Sequence, residues 1–309
     1  MTLLSRLSVL AVKVETTPGT PESLTNSEAA YNFMDAEING DIAVSTRPLQ
    51  GSFRKLPGVP GGRAAEATFT LELTGDGAGG VPGWATVLLA GCGIVNTTGT
   101  LSPRNEAPGT NVKTLTLGLY ENGRRKLMSG AVGNVVFNFT PGQPVMMNFT
   151  FRGVYQGVSD TAMLTPTYPT ITPIRASNDN GQFAINSVAQ VISSASFDVG
   201  NTIELRPSVS TTTGFSYGII TDRTPVWSID PEAKLVATAD VFGDWVAGTT
   251  RALQLDLEDA ADVVSFAAPA VQKTSISNAD RNGLRVDTQT LMCVRSGTDP
   301  EFTITFTSA

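Results

Sequence analysis

The chain has 309 residues, with 28 acidic against 21 basic side chains, no histidine and a formal charge of −7. An acidic balance opposes gripping a phosphate backbone, and a missing histidine removes Ser-His-Asp and Cys-His catalysis together with the commonest metal ligand. A hydrophobic fraction of 41% is enough for a sizeable core, in one large domain or two ordinary ones.

The first residues are mildly apolar, but Arg6 interrupts them and no small-residue cleavage site follows, so no signal peptide is expected. No run is apolar for long enough to span a bilayer as a helix. Residues 47–63 are basic, rich in Gly and Pro, and free of any regular period; they carry Arg47, Leu49, Phe53, Arg54, Lys55, Leu56 and Val59. Long loops inside compact domains usually have a job, and this one reads as an arm that docks on a neighbouring subunit.

Period-two alternation then dominates. Ala67, Phe69, Leu71 and Leu73 point one way, against Glu66, Thr68, Thr70 and Glu72. Leu115, Leu117 and Leu119 alternate with Thr114, Thr116 and Gly118, and Arg124-Arg125-Lys126 after Glu121-Asn122-Gly123 reads as a basic hairpin tip. Val135, Phe137 and Phe139 enter the turn at 141–144, and Val145, Met147, Phe149 and Phe151 leave it, which predicts a long antiparallel hairpin with one wet face. Phe302, Ile304 and Phe306 repeat the pattern near the end. Helix is scarce. One candidate opens at Pro82, carries Trp84 and stops at Gly91; a second covers 240–247, carries Trp245 and stops at Gly248.

The order of elements repeats. Arg47-Pro48 matches Arg206-Pro207, and Glu66-Ala67 and Glu232-Ala233 each open a strand in this reading. A Trp-bearing helix follows, then an alternating Leu strand (Leu115, Leu117, Leu119 against Leu253, Leu255, Leu257), then a strand-turn-strand around Pro141-Gly142 or Asn282-Gly283. We read this as a duplication, with units at 1–164 and 183–309 and a linker at 165–182.

Chemistry is sparse. Gly75-Asp76-Gly77-Ala78-Gly79-Gly80 fits G-x-G-x-x-G between a strand and a helix. The strand before it alternates, no ribose-binding acid follows, and no further strand-helix-strand units appear, so a plain turn is expected. Asp256, Glu258, Asp259 and Asp262 lack the glycine of a calcium loop and read as a solvated edge. Cys92 and Cys293 read as buried reduced thiols. No catalytic, cofactor or metal residues are assigned, and an enzyme is not expected.

The runs at 11–21, 47–51 and 56–63, with Gly83-Trp84-Ala85-Thr86 and Phe151-Arg152-Gly153-Val154-Tyr155, resemble major tail tube proteins of long-tailed, siphovirus-like phages. The resemblance is clearest over 5–175; residues 197–207 and 228–232 are similar to longer members. It implies a mainly β protein, here with two β-sandwich tail-tube-like domains, each with a short flanking helix and a long loop or hairpin arm. It implies rings stacked into a hollow tube through which genome DNA leaves without specific binding. A ring of that family needs about six tube domains, so two per chain would close a trimer with pseudo-sixfold symmetry. If only the first half is a tube domain, six chains would form the ring. The implied partners are the chain itself and the tail-tip or baseplate, tape-measure and tail-terminator proteins, in a virion assembled in the host cytoplasm, with no membrane. The competing readings are a β-sandwich adhesin, which would cluster exposed aromatics on one loop face, and a tail-terminator protein, which would stop at discrete rings.

Overall fold

Period-two alternation becomes strand throughout the chain, whose computed structural model describes residues 6–104, 113–177, 183–258 and 262–308. The first half supplies β1 (Ser8–Val14), β2 (Met34–Pro48), β3 (Lys55–Glu72), β4 (Ile94–Thr97), β5 (Thr100–Pro103), β6 (Leu115–Glu121), β7 (Arg124–Phe139) and β8 (Met146–Asp160). The second supplies β9 (Phe183–Ile185), β10 (Val188–Ala189), β11 (Ile192–Asp198), β12 (Asn201–Pro207), β13 (Phe215–Arg223) and β14 (Val226–Pro231). A short helix α1 (Val241–Ala247) precedes β15 (Thr250–Glu258), β16 (Asp262–Arg281), β17 (Leu284–Cys293) and β18 (Thr303–Ser308). The fold is mainly β with large antiparallel sheets, as the alternation requires.

Neighbouring strands run β10-β9-β15-β16-β17-β14-β11-β7-β8-β3-β2, with β1, β4, β5, β6 and β18 attached to this path and β12–β13 forming a separate ribbon. One ladder joins the halves: Ala195 pairs with Phe139 and Phe197 with Phe137, so β11 extends the first half's sheet along β7. Side chains from both halves share one core there. Phe197 stacks on Trp227 at 4.8 Å between centroids, and Phe137 meets Phe266 edge-on at 5.2 Å. Hairpin turns fall where the sequence places them, with Asn122-Gly123 (φ 48° and 98°) and Asn282-Gly283 (φ 53° and 84°) in the left-handed conformation that twist-matched hairpins need.

Four features depart from the sequence reading, each for a physical reason. Strand β6 is buried on both faces, because residues 15–31 cross its polar side; Thr116 donates to Glu15 at 2.8 Å and accepts from the Glu22 amide at 3.0 Å. The segment 47–63 is a strand pair with a tip, since β2 and β3 stay in register out to Pro48 and Lys55. Glu232-Ala233 opens no strand; it follows β14, where Glu232 pairs with Arg281 at 3.0 Å, whereas Glu66-Ala67 lies inside β3. The two tryptophans differ as well. Trp84 is buried against Phe306 and donates to the Thr74 carbonyl at 3.1 Å, in a helical stretch that widens to a π-turn at Ala85–Leu89. Trp245 is 40% exposed.

Helix α1 buries no side chain and is held by its termini and charge. The Asp240 carboxylate accepts the Gly243 amide at 2.8 Å, and Gly248 closes the helix at φ 65°. Asp244 takes Arg251 at 2.6 Å and the buried Lys273 at 3.1 Å, and the Arg251 hydrogen bond leads in holding its carboxyl below the usual range. The segment after β8 is tied down too: Ile174 is buried and its amide donates to the Leu73 carbonyl at 2.8 Å.

Phe197→Ala removes a fully buried ring shared by both halves, so it should cost about 3–5 kcal/mol. Urea unfolding should lose that stability in a single transition; a loss confined to one of two separate transitions would show that the halves do not share a core.

Candidate assembly interface

Beyond the last β3–β8 pair, Ala64 with Val154, strands β2 and β3 continue alone as a hairpin. The β3 side of this arm, residues 55–63, reaches about 30 Å at ~3.3 Å per residue. An isolated two-stranded ribbon is marginal in water. Here both faces are bare: Phe53 is fully exposed, Val44 60%, Val59 52%, and Ile42, Leu49 and Leu56 are also open. Pro57 and Pro60 remove amides from the β3 edge, which discourages indiscriminate strand addition. Arg47, Arg54, Lys55 and Arg63 make the arm cationic on an acidic chain.

The sequence named Arg47, Leu49, Phe53, Arg54, Lys55, Leu56 and Val59, and the structure brings all seven onto this one hairpin, with Leu49–Arg54 at its tip. It missed Ile42 and Val44, which lie on the opposing strand and are open to solvent. The available signal was that their alternation runs on into the Gly/Pro segment.

The second half has its own ribbon, β12–β13, and that one is docked. It lies across β7 and β8, where a Cβ on Gly218 would come within 2.9 Å of Val132 and 3.0 Å of the Arg152 carbonyl. Asn201 donates to the Cys92 and Gly133 carbonyls at 2.8 and 2.9 Å, and Asn134 donates to Asp198 at 2.7 Å. At its tip, Thr213 accepts the Arg63 amide at 2.8 Å.

The glycine-rich loop is occupied by the protein itself. Gly77 and Gly79 donate to the two oxygens of Asp262 at 2.9 and 2.8 Å. A Cβ at Gly75 would fall 2.1 Å from the Oδ2 of that carboxylate, which explains a glycine better than a nucleotide does. Asp262 was expected on a solvated edge; it is 3% exposed, because the loop from the first half closes over it. Asp256 and Glu258 lie on β15 as expected, and Asp259 lies outside the described residues. Among the described residues no cluster of potential metal ligands forms. Both cysteines are buried free thiols; burial raises the Cys92 pKa and, with Glu301 nearby, pushes Cys293 up to about 12, which leaves little thiolate. The basic tip folds onto its own strand end, where Glu121 pairs with Arg124 at 2.6 Å and Lys126 at 3.2 Å.

Asp262→Ala removes the acceptor of two part-buried loop amides and should cost about 2 kcal/mol, read as a fall in the thermal midpoint. Asp262→Asn, which keeps one acceptor, should lose roughly half as much; equal stability of both variants with the parent would refute the clamp.

No curated protein matches the chain. The family profile described as phage tail tube protein matches residues 5–293, nearly the whole chain. Matched over nearly its whole length and mainly β in fold, the chain belongs to the phage tail tube protein family, a structural component of the virion tail.

Proposed function

We propose that this chain is the repeating subunit of a siphovirus-like tail tube. Three copies close a ring of pseudo-sixfold symmetry, and rings stack into a conduit for genome DNA. The observation that carries the reading is the hairpin at 42–63, a ribbon with six exposed large apolar side chains that meets the docked ribbon at its base, through Arg63 and Gly62. Burying each would contribute on the order of 1.5–3 kcal/mol, which suits a permanent subunit contact.

A duplication supports the count of three. The rung Ile38–Ala67–Phe151–Gly133 crosses β2, β3, β8 and β7; the rung Phe197–Trp227–Leu291–Lys273 crosses β11, β14, β17 and β16 in the same order. Outside them, β1 flanks β6 as β9 flanks β15. By this correspondence Leu117 and Leu119 match Leu253 and Leu255, two residues on from the alignment read in the sequence. The units span 1–164 and 183–309, with 165–182 as the connection. A cyclic assembly built this way covers the long β2 edge of every copy.

The wet face of β2, β3 and β8, carrying Glu37, Asn39, Glu66, Thr68, Thr150 and Arg152 opposite Glu66, is the surface we assign to the lumen. A face on which neutral and acidic groups outnumber its one arginine lets DNA pass with little counterion-release binding. The subunit is made in the host cytoplasm and meets the tail-tip, tape-measure and tail-terminator proteins in the virion. An adhesin would gather exposed aromatics on one loop face, whereas Phe53, Tyr168 and the α1 pair Phe242 and Trp245 lie on separate segments.

Negative-stain microscopy of the purified chain should show striated tubes. Phe53→Asp with Val59→Asp should leave the thermal midpoint unchanged and abolish the tubes. A parent chain that stays monomeric at high concentration, or a double variant that polymerises normally, would contradict the proposal.

A further inference from the structure

The second half has a vacant edge where the first half has a filled one. On the β6 side of β7, β6 pairs with Arg124 to Ala131, and β11 then takes Val136, Phe137, Asn138 and Phe139. On the β15 side of β16, β15 pairs with Val263 to Gln272, and among the described residues no strand follows. Strand β16 nevertheless continues to Arg281, paired only with β17, and Ser277, Asn278, Ala279 and Asp280 are all exposed. Those four are the counterparts of Val136 to Phe139: Val136 faces Asn148 and Ser277 faces Thr288 at matching rungs below Phe151 and Leu291.

We infer that this edge seats β2 of a second copy, in the register Ala36 with Asp280, Glu37 with Ala279, Ile38 with Asn278 and Asn39 with Ser277. The register is copied from Ala195 with Phe139 through Asp198 with Val136, because Ile38 and Phe197 hold the same rung. It rests on the ring reading above and specifies the contact that closes it. The arm beyond β2 then lies over β16 and β17 as β12–β13 lies over β7 and β8, with Gly58 placed as Gly218 is.

Charge favours this occupant. Phe215 at the tip of the docked ribbon packs against Gly62 at the base of the arm. Carried one unit onward, Lys55 takes the place of Phe215, and Asp222 of the next copy takes the place of Gly62. Both side chains are exposed in the single chain. A cationic tip thus meets a carboxylate that has no basic partner across its own ladder, where Thr202 stands opposite.

The test mixes chains carrying Asn39→Cys alone with chains carrying Ser277→Cys alone, lets them form tubes and adds a short bis-maleimide. Facing residues of paired strands lie within its reach. The mixture should give a covalent two-chain band at least tenfold stronger than either variant alone. In addition, Lys55→Glu should reduce tube yield at least tenfold, and Asp222→Lys in the same chain should restore it. Tubes that form without the cross-link overturn the register and leave the tube reading standing. Failure of Asp222→Lys to restore assembly overturns the arm's position. A parent chain that forms no tubes defeats the tube reading itself, and this contact with it.

Discussion

The pairing of β11 with β7 is the contact on which the rest of the molecule depends. It turns two sets of strands into one sheet and brings Phe137, Phe139, Phe197, Trp227 and Phe266 into one cluster. Backbone pairing fixes register, and register decides which side chains face the core, so the ladder sets the position of one half against the other to within a residue. The docked ribbon β12–β13 and the loop closed over Asp262 then brace that joint from two further sides.

Polar chemistry is spent inside the chain as well, within the first half and across the joint. Glu15 is 4% exposed, with Gly19 and Gly130 amides at 2.7 Å and the Thr114 and Thr116 hydroxyls at 2.6 and 2.8 Å. Asp262 is likewise satisfied by loop amides. Each carboxylate holds a crossing segment at a cost lower than an unpaired group would incur. Groups that look like a binding constellation in the sequence are in this way consumed by folding, and the hairpin arm and the strand edge beyond Gln272 stay open.

Strands with one buried face were legible in the sequence, because a buried face imposes period two; Phe69, Leu71, Phe149 and Phe151 fall where the alternation puts them. Helix ends were legible at Asp240 and Gly248, where capping chemistry is local. The arm was legible as a place but not as strand, since a ribbon bare on both faces has no core to write a period into Pro57, Gly58 and Pro60. Asp262 was misread for a different reason. Its partners Gly77 and Gly79 lie 185 and 183 residues away, and only the joint between the halves brings them near. The free edge of β16 went unread because Thr274, Ser277 and Asn278 look like an ordinary solvated strand end.

The chain we propose is a pair of like units whose internal joint is repeated between copies. Counting chains per ring tests this most directly, by cryo-electron microscopy of the tube with no symmetry imposed at the outset. Three chains per ring, with six similar β units around the lumen and β2 of each copy added to β16 of the next, is the predicted result. Six chains per ring, with the second halves outside the wall and the β16 edge unpaired, would contradict it.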